Sequence, residues 1–279
     1  MGKRLLREWI LKPLLDIDVI RARQDAVGWL KEDAVSRGRL FNSLQRCRDV
    51  ERAIGRLSLN LGSPPELAAI RDTLSEIPPL RALLERSPLE PFLDGVPDLS
   101  GCRDDLASNL SENPHRNLRD GGVIRPGADP ELDEWRKLST EAGNWIADYA
   151  MRERERTGIT GLKVGNNRVF GYYIEISRSQ MEKVPEEYIR RQTLVSAERY
   201  VTPELKEFEE KILRASEEVE RREGILYDAL RERVLAHAGP IQKTGQALAQ
   251  LDCLASLGDV AWERRYERPV VNRKDLLRI

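Results

Sequence analysis

The sequence is poor in the residues that most often carry out chemistry. Its 279 residues include two histidines, His115 and His237, three cysteines and only 6% aromatic residues. Neither histidine has a second ligand or an acid at metal-binding spacing, so both are interpreted as ordinary surface or helix-end residues. Cys47, Cys102 and Cys253 are odd in number and widely spaced, which argues against a disulfide framework and against a zinc site.

Several sequence motifs are also missing. None of the 19 glycines belongs to a Gly-x-x-x-x-Gly-Lys-Ser/Thr, a Gly-x-Gly-x-x-Gly or a Gly-x-Ser-x-Gly motif. No stretch approaches the roughly 20 uncharged apolar residues of a membrane helix. The opening MGKRLLREWILKPL places charges where a signal peptide has its apolar run. The chain is therefore predicted to be cytoplasmic, to have no membrane partner and not to be an enzyme.

The balance of charge excludes a global attraction to polyanions. Lys and Arg number 46 against 47 Asp and Glu, which gives a net charge of -1. Any site for a polyanion must therefore be local. Residues 160–200 hold seven basic residues against five glutamates, a local charge of +2 where the remainder of the chain carries -3. This segment is the best candidate for such a site, although the contrast is modest.

Apolar residues recur at helical spacing through about Leu61, which predicts packed helices. Pro13 and the segments 62–65, 78–79 and 88–97 are predicted to connect helices, because proline removes an amide donor and disfavours helix at the preceding residue. After His237 the pattern predicts short apolar helices that pack back on the first part of the protein.

Two longer apolar stripes frame the middle of the chain. Residues 132 to about 157 carry apolar or small residues at steps of three and four, which predicts a single long helix. A second stripe follows Thr202, which is suited to cap a helix, and Pro203, which suits the first helical position. The stripes are about 28 and 34 residues long and predict antiparallel arms of roughly 40 and 50 Å.

The segment between the two stripes predicts a small sheet at the tip of the arms. Phe170, Tyr172, Ile174 and Ile176 alternate as in a strand, and Gly165-Asn166-Asn167 is predicted to form the turn of a hairpin. The stretch TLVSAERYV is expected to complete the sheet. The predicted fold class is mainly α: a helical core with two long antiparallel coiled helices that bear a small β-rich insert.

Five segments resemble a known family. LKVGNNRVFGYYIEIS, VPEEYIRRQTL and AERYVTPELKEFEEKIL resemble the clamp of the MutS family of bacterial DNA mismatch repair proteins, and MGKRLLREWILKPL with DGGVIRPGADPELDEW resembles the core, or lever, domain. The likeness is collinear and covers essentially all 279 residues. It implies a core with an ascending arm at 1–145, a clamp at 146–203, and a descending arm with a return to the core at 204–279.

The resemblance implies a function as well. In that family two clamps, one from each subunit of a homodimer, close around duplex DNA and touch its backbone. The chain is accordingly expected to be an excised core-plus-clamp fragment that grips duplex DNA without reading its sequence. It would couple mechanically to an ATPase domain outside the chain. ATP and magnesium are expected in that domain, no cofactor is expected in this chain, and other mismatch repair proteins are further expected partners.

Matching positions nominate two DNA-contacting residues. Arg191 in RRQTL is the best candidate for a phosphate contact, and Val195 and Ser196 match two family contact positions where a basic residue and an asparagine are typical. The loss of one cation is expected to flatten the dependence of log affinity on log salt by about 0.9. Strand and turn chemistry add the other predicted DNA-binding residues, which are Lys163, Asn166, Asn167, Arg168, Arg190, Thr193 and Arg199.

A second hypothesis treats the chain as a helical scaffold whose coiled arm binds other proteins. A scaffold should tolerate replacement of Arg190 and Arg191 by alanine, whereas a clamp should lose DNA affinity. An enzymatic function is the third possibility, and ATP hydrolysis by the purified chain would reveal it.

Overall fold

A computed structural model describes residues 1–167 and 171–273 of the chain, and in these ranges it contains ten α-helices and four strands. The helices of the first half are α1 (Gly2–Leu11), α2 (Ile17–Glu32), α3 (Ala34–Arg46), α4 (Val50–Ser58), α5 (Pro64–Leu84) and α6 (Ser100–Asn109). The later elements are α7 (Pro130–Thr140), α8 (Ala142–Thr157), β1 (Lys163–Asn167), β2 (Gly171–Ser177), β3 (Ile189–Thr193), β4 (Ala197–Val201), α9 (Pro203–Leu235) and α10 (Ala238–Glu263). The predicted class, mainly α with a small β element, is confirmed.

The chain divides into two compact units. The core unit comprises Met1–Arg125 together with Leu226–Ile279, and the sheet unit comprises Pro126–Ile225. The three segments predicted from the sequence, 1–145, 146–203 and 204–279, stay a prediction. No helix in the described residues has the length and apolar character needed to cross a membrane.

Helix α10 is the central element of the core unit, where it packs against α1, α2, α3 and α4. Leu30, Leu251 and Leu254 are fully buried in this core. A Cβ atom at Gly258 would lie 2.6 Å from the Leu30 Cβ atom, so the glycine permits the close approach of α10 to α2. The return of the chain to the first part of the protein is therefore confirmed.

The prediction of several short helices after His237 was wrong, because α10 is one helix of 26 residues. Its only proline, Pro240, lies in the first helical turn, where a missing amide donor costs little. Beyond that point no proline interrupts the helix, and a buried apolar face continues to Ala261.

A second correction concerns Pro78 and Pro79, which lie inside α5 rather than in a connection. Both prolines are exposed, whereas Ile77 and Leu80 on the opposite face are buried. Burial of this face outweighs the lost hydrogen bonds, each proline costing about 3 kcal/mol in a helix interior. The other predicted breaks are confirmed: α1 ends at Leu11, α5 begins at Pro64, and residues 85–99 separate α5 from α6.

In the sheet unit the predicted single long helix is interrupted, so that prediction was also wrong. Helix α7 ends at Thr140 and α8 begins at Ala142. The Thr140 hydroxyl donates to the carbonyl oxygens of Arg136 and Lys137, at 3.1 and 3.0 Å. Threonine that bonds back to the preceding turn competes with the helical hydrogen bonds and bends the helix. The expected end of α8 at Thr157 is confirmed, with Gly158 in the left-handed region at φ 65°.

Helix α9 begins at Pro203 as predicted, and the Leu205 amide donates to the Thr202 hydroxyl oxygen at 3.1 Å. Its first part runs antiparallel to α7 and α8. The Trp145 and Phe208 rings stack with centroids 3.6 Å apart, and further along the Arg222 guanidinium pairs with Asp129 at 2.7 Å.

The predicted stripe along α7 and α8 is not buried throughout. Leu138 belongs to that stripe but is 50% exposed. Trp135 and Trp145 are only half-buried, whereas Leu132 and Tyr149 are buried. Spacing alone therefore identified the face of the helices but not which of its residues are covered.

Candidate nucleic-acid interface

The four strands of the sheet unit form one antiparallel sheet in the order β1-β2-β4-β3. The prediction that TLVSAERYV completes the sheet is confirmed, since it contributes to both β3 and β4. Ile174 and Ile176 of β2 are fully buried, as the alternation predicts, and Tyr172 is half-buried. Phe170 lies outside the described residues.

The predicted turn at Gly165-Asn166-Asn167 was wrong, because these residues belong to strand β1. Gly165 is paired with Tyr173, and Asn167 with Gly171. A Cβ atom at Gly165 would lie 2.9 Å from the Tyr173 hydroxyl oxygen, so the glycine makes room for the cross-strand ring. The requirement for glycine comes from this contact, not from a turn.

Most of the predicted DNA-binding residues are divided between the two edges of the sheet, while Arg199 lies on the inner strand β4 and Ser196 in the turn before it. Lys163, Asn166 and Asn167 lie on β1, whereas Arg190, Arg191 and Thr193 lie on β3. Two strands separate these edges, so the two groups are about 14 Å apart at normal strand spacing. Arg168 lies outside the described residues. The sheet therefore does not gather the predicted residues into a single cluster.

Arg191 occupies a β-bulge on an edge strand. Arg190 pairs with Tyr200 and Gln192 pairs with Arg199, so Arg191 is the extra residue between two successive pairs. A bulge leaves its extra residue unpaired and redirects its side chain. The Arg191 side chain is exposed and has no hydrogen bond or ion pair with any residue in the described ranges. It is therefore accessible to an external anion.

The other two arginines of β3 and β4 are engaged inside the sheet unit. Arg190 lies 3.5 Å from the Glu198 carboxylate, which also accepts a 2.6 Å hydrogen bond from the Tyr200 hydroxyl. Burial, and then this hydrogen bond, raise the pKa of Tyr200 to about 12.

Arg199 is still more constrained. Its guanidinium donates to Glu175 and to Gln192, at 3.0 Å each, and stacks over the Tyr173 ring at 4.1 Å. A phosphate could reach Arg199 only in competition with these three neighbours.

A second arginine stands near the turn between β3 and β4. Val195, which is 92% exposed, and Ser196 form the tip of this turn. The Arg178 amide donates to the Ser196 carbonyl oxygen at 3.1 Å, and the Arg178 guanidinium donates to the Leu194 carbonyl oxygen at 3.0 Å. We call Arg178 with Leu194–Ser196 the turn end of the sheet.

Arg178 was not among the predicted site residues. In the sequence it merely follows a strand, in ISRSQ. The pairing of Ser177 with Ala197 brings it to the turn. Correct register between β2 and β4 would have been needed to find it.

The opposite end of the sheet, where β2 begins, faces α9. Gly171 has φ +68°, and a Cβ atom there would clash with the Glu209 carboxylate. The neighbouring Tyr172 ring lies 6.0 Å from the Phe208 ring. The described residues at this end are therefore packed on the unit's own helix.

We expect Gly171→Ala to destabilise the sheet unit by about 1–2 kcal/mol, because a left-handed conformation is unfavourable for a residue with a Cβ atom. Hydrogen exchange of β2 amides would measure the loss. Two effects act in Gly171→Ala, namely the left-handed backbone conformation and the clash of the new Cβ atom with the Glu209 carboxylate. The double variant Gly171→Ala/Glu209→Ala removes the clash and keeps the backbone strain. Full recovery in the double variant would contradict the role of φ.

The sheet is fastened to α8 by a buried carboxylate. Glu153, 7% exposed, accepts hydrogen bonds from the Tyr188 hydroxyl and from Arg156, whose Nη2 lies at 2.8 Å. Burial opposes ionisation of Glu153, but the hydrogen bonds from Arg156 and Tyr188 outweigh it and lower its pKa. Burial and the bond to Glu153 raise the pKa of Tyr188. The pair is therefore a carboxylate with a neutral phenol at neutral pH.

The described residues of the sheet unit include groups that can bind an anion. Across residues 1–167 and 171–273, no group of three or more His, Cys, Asp or Glu side chains is placed to hold a metal ion. The β3 edge and the turn end present the unpaired Arg191 guanidinium, the hydroxyl groups of Thr193 and Ser196, and the Arg178 guanidinium. These groups bind phosphate oxygens without reading bases.

The sequence of the chain is similar to sequences of one protein family. A family model described as MutS domain III matches residues 1–258. The chain is 42% identical over 275 residues to the DNA mismatch repair protein MutS of Salinibacter ruber, covering 98% of this chain and 30% of that protein. The MutS proteins of Symbiobacterium thermophilum and Alkaliphilus oremlandii are 40% and 39% identical over 282 residues, covering 100% of this chain and 32% of each relative. The chain thus spans about a third of the length of the curated relatives it matches.

Proposed function

The chain belongs to the MutS family, and from that premise we propose that its sheet unit grips the backbone of duplex DNA without reading the base sequence. The observation that carries the proposal is the exposed, unpaired Arg191 at the bulge of the edge strand β3. Contacts to phosphate position a protein on DNA and carry no sequence information.

The proposed contact surface comprises the β3 edge and the turn end, with Arg191, Thr193, Ser196 and Arg178. Thr193 and Ser196 are exposed and supply hydroxyl donors, while Arg178 fixes the turn and adds a second positive charge. Lys163, Asn166 and Asn167 are proposed as a separate, weaker contact on the β1 side, and Arg168, which lies outside the described residues, stays a predicted DNA-binding residue. Arg190 and Arg199 are proposed to act mainly by holding β3 and β4 together, since both already have partners.

Arg191→Ala should weaken binding of the 279-residue chain to duplex DNA about tenfold at low salt, because one charged contact to phosphate is lost. The slope of log affinity against log salt should also flatten by about 0.9. Fluorescence anisotropy of a labelled homoduplex, titrated at several salt concentrations, measures both quantities.

Arg214→Ala is the matched control, since Arg214 is an exposed arginine of α9 and the change in charge is the same. Equal affinity of the wild-type chain for homoduplex and single-mismatch duplex is expected, because no base contact is proposed. Unchanged DNA binding by Arg190→Ala/Arg191→Ala would favour the helical scaffold that binds proteins instead.

We further propose that α9 relays displacement between the sheet and the rest of a MutS protein. Binding of ATP and magnesium is proposed for the longer MutS protein and not for this chain. ATP hydrolysis, homodimer formation and contacts with other repair proteins are proposed for the longer MutS protein. Support for the relay comes from the length of α9, 33 residues, and from its contacts with α7 and α8.

A relay of this kind requires α9 to stay firmly packed. Ile212→Asp should lower the free energy of unfolding of the sheet unit by about 1–2 kcal/mol, because it places a charge at a half-buried position. Leu213→Asp is the control, since Leu213 is 58% exposed and should change stability by less than about 0.5 kcal/mol. Equal effects of the two variants in chemical denaturation would count against the packing.

A further inference from the structure

The core unit carries a groove that the proposed DNA contacts do not use. It has a volume of about 690 Å³ and lies between α4, the first half of α5 and the segment Glu112–Arg116. Its size falls within the range of ligand pockets, about 300–1,000 Å³. We call it the α4–α5 groove.

Four arginines from two segments of the chain line this groove. Arg52 and Arg56 are four residues apart on one side of α4, Arg48 lies just before this helix, and Arg116 belongs to the segment Glu112–Arg116. Arg56 is held by Glu66 at 2.8 Å and by the Leu61 carbonyl oxygen at 2.6 Å.

The remaining three arginines are not neutralised. Arg48, Arg52 and Arg116 are exposed, and in the described part of the chain their guanidinium groups have no hydrogen bond or ion pair. The groove therefore presents guanidinium groups with unused donors.

The carboxylates of the groove are largely satisfied by other partners. Asp49 is paired with Arg4 at 2.6 Å, and Asp72 with Arg71 at 2.8 Å. Glu112 is the one lining carboxylate for which the described residues offer no ion pair. Three uncompensated positive charges thus face one uncompensated negative charge, and the groove is locally basic in a chain whose net charge is -1.

The groove also has apolar lining residues, and one of its segments is held in place. Four apolar residues line the groove and form what we call its floor, namely Ala53, Pro65, Ala68 and Pro114. The Arg71 guanidinium donates to the carbonyl oxygens of residues 111 and 112, at 2.8 Å each, and so fixes the segment that carries Arg116. The groove is therefore formed before any ligand binds, which lowers the entropic cost of binding.

We propose that the α4–α5 groove binds a short acidic peptide segment of a partner protein, whose carboxylates pair with Arg52 and Arg116 while small apolar side chains rest on the alanine and proline floor. Paired guanidinium and carboxylate groups form two parallel hydrogen bonds, which gives both energy and orientation. Duplex DNA fits less well, because its charged backbone offers no apolar side chains for the alanine and proline floor. The proposal is independent of the DNA contacts of the sheet unit.

The test begins with a phage-displayed library of random 12-residue peptides, selected on the immobilised 279-residue chain. Peptides that also bind the double variant Arg52→Glu/Arg116→Glu are removed. The expected result is enrichment of sequences in which Asp or Glu alternate with small apolar residues. Enrichment of basic or purely apolar sequences, or no enrichment, would overturn the proposal.

An enriched peptide, labelled with fluorescein, is then titrated against single variants. Arg52→Glu and Arg116→Glu should each weaken binding at least tenfold. Arg39→Glu should leave it unchanged, since Arg39 is exposed on α3 and does not line the groove. Circular dichroism checks that all variants are folded.

Competition between the peptide and duplex DNA tests the remaining alternative, which is that the groove binds nucleic acid. Peptide binding that persists at saturating DNA supports a dedicated peptide groove. Displacement of the peptide by DNA, with DNA affinity lost in Arg52→Glu and retained in Arg191→Ala, would show that the groove is a nucleic-acid contact and would overturn the proposal.

Discussion

Replacement of Tyr149 by alanine is expected to lower the free energy of unfolding of the sheet unit by about 3–5 kcal/mol, the cost of removing a large buried aromatic side chain. Tyr149 is 1% exposed, and its ring stacks on Trp145 with centroids 5.0 Å apart. It belongs to a buried core in which α8 meets Ile174 of the sheet and Leu205 of α9. Hydrogen exchange of β2 and β4 amides, measured in the whole chain, reports the loss.

Tyr149→Phe keeps the ring and removes only the hydroxyl group. That hydroxyl lies 2.6 Å from the Thr202 hydroxyl, which also caps α9. The conservative variant should therefore lose only about 1 kcal/mol, the net value of one hydrogen bond. If the two variants were equally destabilised, the hydrogen bond rather than the ring would be the main fastening. If neither changed exchange of the sheet amides, the sheet would not depend on this contact with α8.

The second large effect is expected at Glu153. Glu153→Ala leaves the buried Tyr188 hydroxyl without its acceptor and should destabilise the sheet unit by about 2–3 kcal/mol. Glu187→Ala is a matched control, because Glu187 also pairs with Arg156, at 2.7 Å, but its side chain is 54% exposed. An exposed ion pair contributes less than about 1 kcal/mol. Equal losses in the two variants would show that burial does not distinguish the two carboxylates.

The same contact makes stability depend on pH in a known direction. The pKa of Glu153 in the folded chain lies below its ordinary value of 4.5, so the folded state favours the carboxylate. Its contribution is complete above pH 4.5 and is lost as the pH falls through the lowered pKa. The wild-type sheet unit should therefore lose more stability between neutral pH and pH 3 than Glu153→Gln does. Parallel pH profiles for the two proteins would contradict this assignment.

The proposed DNA contact shows which features of an arginine the sequence can predict and which it cannot. Arg191 was proposed from the sequence by matching positions, and the bulge that leaves it unpaired follows from the pairing of β3 with β4. Arg199 has the same charge and lies in a neighbouring strand, yet it is engaged with Glu175, Gln192 and the Tyr173 ring. Composition treats the two arginines as equivalent, whereas register distinguishes them.

The unpaired charges of the α4–α5 groove could not be identified from the sequence alone either. The spacing of Arg52 and Arg56 indicates that they share one side of a helix, and Arg48 lies just before that helix. Whether they are neutralised depends on partners distant in the sequence, such as Glu66 for Arg56. Arg116 joins them only because Arg71 holds residues 111 and 112 against α5.

The sequence by itself determined the helical class, the family, the start of α9 at Pro203, the end of α8 at Thr157 and the existence of the sheet. These features depend on local periodicity, on capping residues and on proline, whose effects act over a few residues. Only the tertiary structure decided that Pro78 and Pro79 stay within α5, that Gly165 serves a cross-strand ring, and which arginines are left unpaired. Those outcomes depend on burial and on contacts between residues far apart in the chain, where the free energy of packing outweighs local preference.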